Sequence, residues 1–199
     1  MIPKIIHYCW FGGKEMPPLV QKCIKSWKEH LPDYEFKLWN EENFDINSSE
    51  WCKGAYENKK YAFVADYVRL IALYKNGGIY LDTDEKMEKS LNPFVEKDIA
   101  FMGFEDGKVL SMGVMGFPPK HHIIAELLEY YNQPFSMDII TQNTSNVVIV
   151  TNYLAEKYRS LNPQLHSRSA TYKRNGLLIR KTAIKSSRPF QCAYYPLTP

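Results

Sequence analysis

The 199-residue sequence has no apolar run near the roughly 18 residues that a membrane helix needs, so any membrane contact is expected to be peripheral. Its opening residues, MIPKIIHYCWFGG, hold only about six of apolar character, too few for the core of a secretory signal. Cysteine is scarce: Cys9, Cys23, Cys52 and Cys192 form no Cys-x-x-Cys pair and no dense framework. That argues against a disulfide scaffold and favours reduced thiols in a cytoplasmic setting. The histidines at 7, 30, 121, 122 and 166 fall in no metal-ligand spacing. His7 reads as a satisfied core residue on a strand, and His121-His122 as the polar start of a helix. Internal repeats and low-complexity linkers are also missing, and the length fits one domain with a substantial core.

What is present is aromatic side chains and an uneven charge. The 14 Tyr, 10 Phe and 4 Trp offer apolar faces with polar tips, which suit sites for flat or amphipathic ligands. The net charge of +3 hides a split between the halves. Residues 1–100 carry 14 Lys and Arg against 16 Asp and Glu, and residues 101–199 carry 11 against 6. From Lys157 through Arg188 there are nine basic residues and no acidic one. Nucleic acid is a poor partner for this stretch, because no recognisable binding motif accompanies the charge. An anionic lipid surface fits it better.

Along the chain, Pro3 to Trp10 is β-rich and stops at Gly12-Gly13. Pro17-Pro18 opens a helix with Leu19, Cys23, Ile24 and Trp27 at helical spacing. Tyr34 to Trp39 alternates as a second strand, and 40–49 is polar and turn-rich. Tyr61 to Lys75 is the clearest helix, with Phe63, Tyr67, Leu70, Ile71 and Tyr74 on one apolar face. Asn76-Gly77-Gly78 stops it, and Ile79-Tyr80-Leu81 follows as a short buried strand. Further strands are expected at Ile99–Phe104 and Val109–Phe117, and helices at His122–Tyr131 and Asn146–Tyr158. The order implies an α/β domain with a mostly parallel central sheet. Ligands then collect outside the carboxyl ends of the strands, where the loop after Trp10 and the acidic turn after Leu81 both lie.

That acidic turn carries the chemistry. Side chains at i and i+2 of an extended segment point to the same side, so Asp82 and Asp84 could present two carboxylates together. Such a pair is a hard oxygen site for Mg2+ or Mn2+, with positions left open for water and phosphate oxygens. Alone, Asp-x-Asp is weak. Preceded by Gly77-Gly78-Ile79-Tyr80-Leu81 it is much sharper, because both carboxylates leave a buried strand. Asp66 and Arg69, three apart in the helix, share a face with Ala62, Ala65 and Leu73. That reads equally as a surface ion pair or as a pair facing a ligand.

Three segments together are similar to a known family: Ile2 to Gly13, Ala65-Asp66-Tyr67-Val68-Arg69, and Gly77 to Asp84. They resemble the bacterial branch of glycosyltransferase family 32, the DXD sugar-binding group found among capsular polysaccharide synthesis enzymes. More distantly they resemble the glucosyltransferase domain of the large clostridial toxins. The similarity is strong over 2–105 and thins over 113–158. It implies a single GT-A domain, with a nucleotide-sugar-binding core at 1–105 and an acceptor side at 106–199. It also implies a divalent metal, Mn2+ or Mg2+, a nucleotide-diphosphate sugar donor such as a UDP-sugar, and retention of anomeric configuration. The acceptor would be a polysaccharide or a lipid-linked saccharide, reached in the cytoplasm or at the inner membrane face. Asp84 would be the principal metal ligand, and Asp82 would hold ribose or sugar hydroxyls and a metal-bound water. Asp66 and Arg69 would contact the donor sugar. Trp10 would stack on the base, with Phe11 and Gly12 in the same loop, and Asn40 would reach the nucleoside.

No nucleophile stands out. Glu85, Glu105 and Asp106 lie near the expected crevice, and the resemblance implies a front-face reaction assisted by the leaving phosphate. Relatives continue past a tyrosine-proline strand into a closing segment with His and a Ser-Trp pair. This sequence ends at Tyr194 to Pro199, which bears on turnover more than on donor binding. Two other classes share some of these features. A nucleotide-sugar-binding module without turnover would carry the same motifs. A metal-dependent nucleotidyltransferase would need a Gly- and basic-rich loop, of which Trp10 to Lys14 is a poor version.

Overall fold

The computed structural model describes residues 1–105, 109–138, 148, 150, 152, 153, 178–185 and 189–196. The chain opens with β1 (Ile5–Cys9), then α1 (Pro18–His30) and β2 (Glu35–Trp39). After a 3-10 turn at Ile46–Ser48 come α2 (Glu50–Glu57), α3 (Tyr61–Asn76) and β3 (Gly78–Leu81). Next are β4 (Lys86–Met87), α4 (Asn92–Val95), β5 (Ile99–Glu105), β6 (Val109–Phe117) and α5 (His122–Glu129). The last described strands are β7 (Leu178–Lys185) and β8 (Pro189–Pro196).

Local chemistry accounts for the elements that frame the site. Pro18 supplies the fixed φ of a helix start, and Val20, Cys23 and Trp27 are the buried stripe of α1. Leu19, read as part of that stripe, is instead 63% exposed, and Val20 takes its place in the first turn, while Cys23 and Trp27 are buried as read. At the end of α3, Gly77 takes φ 63° and donates its N–H to Leu73 O at 2.8 Å. A side chain there would also run into Pro119 and Pro3, so only glycine turns the chain this sharply into β3. The apolar face assigned to α3 is only part of its burial. Val64, Asp66, Val68, Arg69, Leu70, Ala72 and Leu73 are the buried residues, because the helix lies between the sheet and its neighbours α2 and α5.

The sheet order is β2-β1-β3-β6-β5-β8-β7-β4. β1 pairs in parallel with β2 and β3, while β6, β5, β8, β7 and β4 follow by antiparallel pairing. Five of the eight described strands therefore point one way, but the sheet is mixed, and adjacent parallel pairs are confined to β2-β1-β3. Ile79 and Leu81 face a core of Ile6, Trp27, Phe101 and Val114 under α1. Tyr80 faces the opposite core, with Trp51, Val68, Leu73 and Ile124 under α2, α3 and α5. Cys9, Cys23 and Cys52 are buried and free. No helix among the described residues is long and apolar enough to cross a membrane. The expected lipid-facing surface at 157–188, the helix over 146–158, Asp106 and the Glu105 side chain lie outside the described residues, apart from isolated helical positions and the backbone of β5 and β7.

Candidate active site

Because β1, β2 and β3 run in parallel, their carboxyl ends share one sheet edge, and Trp10, Asn40 and Asp82 emerge there together. The Trp10 N–H donates to Trp39 O at 2.9 Å, which ties two of those ends. Between them and α3 lies a cavity of about 580 Å3, within the size range of small-ligand sites. Trp10, Phe11 and Lys14 form one wall, Ala62, Ala65 and Arg69 of α3 the second, and Asp82, Thr83 and Asp84 the third.

Arg69 organises the floor. It is 5% exposed, and Nη2 donates to Asp66 Oδ1 at 2.7 Å and lies 3.4 Å from Asp82 Oδ1. Its Nη1 donates to Met112 O at 2.9 Å, and its guanidinium lies 4.7 Å from the centre of the Tyr80 ring. Burial works against the arginine charge, but Asp82, Tyr80 and Asp66 more than offset it and hold the guanidinium protonated. Asp66 is 6% exposed. The pair is therefore an internal anchor, with the arginine fork engaged by protein groups, rather than a surface ion pair.

Asp82 is pinned by the strand before it. Tyr80, two residues earlier and on the same face, donates its hydroxyl to Asp82 Oδ1 at 2.9 Å, and the Asp82 N–H donates to Gly113 O at 2.8 Å. Asp84 is exposed and reaches the cavity by another route than the one its spacing implies. The chain leaves the strand at Leu81, and a turn closed by the Glu85 N–H on Asp82 O, at 3.0 Å, swings Asp84 round. Both carboxylates line the cavity even though they do not share one extended segment. This donor set fits Mg2+ or Mn2+, which is held by one or two protein carboxylates plus water and phosphate oxygens. Asp84 would be the open ligand and Asp82 the oriented one.

The Trp10 loop is fixed from outside the cavity. Trp10 is partly buried and donates its indole N–H to Lys14 O at 2.6 Å. Phe11 is buried against Phe44. Gly12 has φ 96°, packs its bare Cα over the Tyr61 ring, and donates its N–H to Glu41 Oε1 at 2.6 Å. Tyr56 donates its hydroxyl to the same Glu41 oxygen at 3.0 Å. Asn40 ends β2, and its side chain accepts the Glu42 N–H at 3.1 Å, capping a turn; it is not among the cavity's lining residues. Gly12 and Asp66 likewise stand behind the wall. His7 is the satisfied core residue its position implied: Nε2 meets Gly77 O at 2.8 Å, and Nδ1 accepts the Trp39 indole N–H at 3.1 Å. His121 starts α5, accepting the Ile123 N–H.

Sequence reasoning missed Cys9, Val20, Tyr61 and Tyr80 as lining residues, and missed Ser111 and Gly113 behind Asp82. Tyr80 was legible, since a residue two before Asp82 on a strand shares its face. Gly113 had no local signal, because its partners come from β3 and the following turn.

Comparisons with known proteins bear on the sequence and on the fold. Residues 17–100 match the family model described as a glycosyltransferase sugar-binding region containing a DXD motif. Inositol phosphoceramide mannosyltransferase 3 of Schizosaccharomyces pombe is 34% identical over 131 residues, covering 64% of this chain and 36% of that protein. Mannosyl phosphorylinositol ceramide synthase SUR1 of Saccharomyces cerevisiae is 30% identical over 133 residues, covering 65% and 34%. The chain thus spans about a third of the length of these curated relatives, which are fungal and are named for a sphingolipid rather than for capsular polysaccharide. The solved PaToxG glycosyltransferase superposes with a TM-score of 0.58 at 17% identity, over 82% of this chain and 73% of that one. The chain therefore has the α/β fold of a solved glycosyltransferase, and the stretch holding Asp66, Arg69, Asp82 and Asp84 matches the DXD-containing sugar-binding region of glycosyltransferases.

Proposed function

We propose that this chain is a metal-dependent glycosyltransferase that moves a hexosyl group from a nucleotide-diphosphate sugar to a hydroxyl, with retention of configuration. The observation that carries the reading is the meeting of Asp82, Asp84 and the Trp10 loop around one cavity at the ends of parallel strands. Trp10 offers a face for the base, and stacking there is worth about 1–3 kcal/mol. Lys14 at the mouth supplies a positive charge toward the diphosphate. Asp84 and Asp82 would hold Mn2+ or Mg2+, whose chemistry is to neutralise charge on the departing diphosphate. Asp82, fixed by Arg69 and Tyr80, orients the donor, and Ala62 and Ala65 leave room for the sugar. The fungal relatives are named for transfer to an inositol-bearing lipid, which supports a saccharide or polyol on a lipid as acceptor and adds GDP-mannose to UDP-sugars as a donor to test.

Incubation with UDP-glucose, UDP-galactose and GDP-mannose, each with and without Mn2+, tests this. The expected result is metal-dependent release of nucleoside diphosphate, most of it lost in Asp84→Asn because a neutral amide offsets less metal charge. Binding without release would indicate a carrier module, and pyrophosphate formation a nucleotidyltransferase. Near-normal activity in Asp84→Asn would refute the role of the turn.

A further inference from the structure

The loop that carries Trp10 is built to be loose and is held from a distance. Its middle is Gly12 at φ 96° and Gly13 at φ 64°, two successive residues in the left-handed region that glycine enters at little cost. Such a pair has much conformational freedom to lose, so the loop keeps one shape only where outside contacts fix it. The Trp10 N–H on Trp39 O fixes its start, and the indole N–H on Lys14 O, at 2.6 Å, fixes its end. The middle is held by Glu41, whose Oε1 accepts the Gly12 N–H at 2.6 Å.

Glu41 is exposed, but the turn that presents it is tied down. Asn40 accepts the Glu42 N–H at 3.1 Å, Asn43 accepts the Asn40 N–H at 3.1 Å, and the Asn43 amide donates to Leu38 O at 2.7 Å. Phe44 closes the turn on Asn40 O at 3.0 Å and sets its ring edge-on to Phe11 and Trp39. At the end of α2, Tyr56 donates its hydroxyl to the same Glu41 oxygen at 3.0 Å. That bond is the first cause of a raised Tyr56 pKa, so the hydroxyl stays a donor. The Tyr56 ring lies edge-on to Tyr61, with centroids 5.4 Å apart, and Tyr61 lies so close to Gly12 that no methyl group would fit between them. The contacts close on themselves: Gly12 to Glu41, Glu41 to Tyr56, Tyr56 to Tyr61, and Tyr61 back to Gly12. Of these four, Tyr61 lines the cavity beside Trp10, and Glu41 stands outside it.

We propose that Glu41 is a positioning residue for the nucleotide: through Gly12 it holds the Trp10 loop in its binding shape before the donor arrives. This rests on the nucleotide-sugar reading above. Apparent affinity falls with the fraction of protein in the competent shape, so a residue that never touches the ligand can set it. The bond is charge-assisted, the stronger kind, and its loss falls on the loop rather than on the buried core.

The test is calorimetry with UDP and with GDP on wild type, Glu41→Ala, Glu41→Gln and Tyr56→Phe. Glu41→Ala should weaken binding of whichever nucleotide the wild type takes by about three- to tenfold, at an unchanged melting temperature. Glu41→Gln keeps an oxygen that can accept the Gly12 N–H and should recover most of the loss. Tyr56→Phe should cost less, and should add nothing in the Glu41→Ala background, because the hydroxyl acts through that carboxylate. In the nucleotide-release assay the loss should appear in the donor KM with kcat unchanged, since the loop faces the base and not the reacting bond. Nucleotide affinity equal to wild type in Glu41→Ala overturns the proposal and leaves the nucleotide-sugar reading standing, and so does a fall in kcat at constant KM. A wild-type protein that binds neither nucleotide overturns both. Should Glu41→Ala fail to fold, Tyr56→Phe carries the test, and unchanged affinity in it overturns the proposal.

Discussion

Replacing Arg69 by Met separates the scaffold of the site from its chemistry. The methionine roughly fills the aliphatic volume of the arginine but leaves Asp66, 6% exposed, without its 2.7 Å partner and Met112 O without its donor. Breaking a buried pair from one side costs about 3–5 kcal/mol, because the remaining charge stays buried. The Asp82 contact adds little, since at 3.4 Å and with 34% of its side chain exposed that carboxylate keeps water as an alternative. Urea denaturation should therefore show a stability loss of about 3–5 kcal/mol for Arg69→Met at an unchanged m-value. The double variant Arg69→Met/Asp66→Leu removes both charges and should recover at least half of that loss, an energetic coupling that a double-mutant cycle reads directly. In ligand binding, the affected carboxylate is Asp82, so affinity for a nucleotide sugar should fall more than affinity for the bare nucleotide. The reasoning is refuted if Arg69→Met lies within about 1 kcal/mol of wild type, or if the two substitutions simply add. Equal losses for sugar nucleotide and nucleotide would restrict the pair to a structural role.

Two further outcomes are expected. Trp10→Ala should weaken UDP binding by about 1–3 kcal/mol in calorimetry while leaving the fold intact; an unfolded variant or an unchanged affinity would remove the indole from the base site. Burial pushes the pKa of His7 down to about 4, with the Gly77 hydrogen bond opposing and Lys37 assisting. The unfolded chain therefore binds the extra proton first as pH falls. Stability is full above the ordinary histidine value, falls through the interval down to about 4, and declines by about 3 kcal/mol across it. His121, also near 4, acts in the same direction. Urea midpoints between pH 7 and 4 read this, and His7→Gln should flatten the slope; an unchanged slope would mean that other groups carry the acid response.

The elements that were legible are those whose signals are local. Gly77-Gly78 ended α3 where it ends because a backbone at φ 63° packed on Pro119 admits no side chain, and that constraint is written in the glycine itself. α2 was missed because its buried residues, Trp51, Cys52 and Ala55, make too short a stripe, although Ser49 is a capping residue in place. The mostly parallel sense of the sheet was legible, and so was a signal for the hairpin that makes it mixed. Only a few residues separate β5 from β6, too few for the crossover that parallel neighbours need, so the pair had to be antiparallel.

The site divides along the same line. Asp82 and Asp84 were visible because an apolar strand running into two carboxylates is unusual within a few residues of sequence. The state of those carboxylates is not local. Asp82 takes its orientation from Tyr80 on its own strand, Arg69 on α3 and the bare Gly113 on β6. Two of those three are brought in only by tertiary structure, Gly113 by the sheet order and Arg69 by the packing of α3 on the sheet. The same holds for Arg69, whose polarity on a helix buried almost all round marks it as paired, since an arginine that deep must be compensated. A polar residue on a helix with no exposed face is thus a stronger pointer to the site than the even odds its i,i+3 spacing allowed. The pattern that identifies it is the absence of a polar face around it.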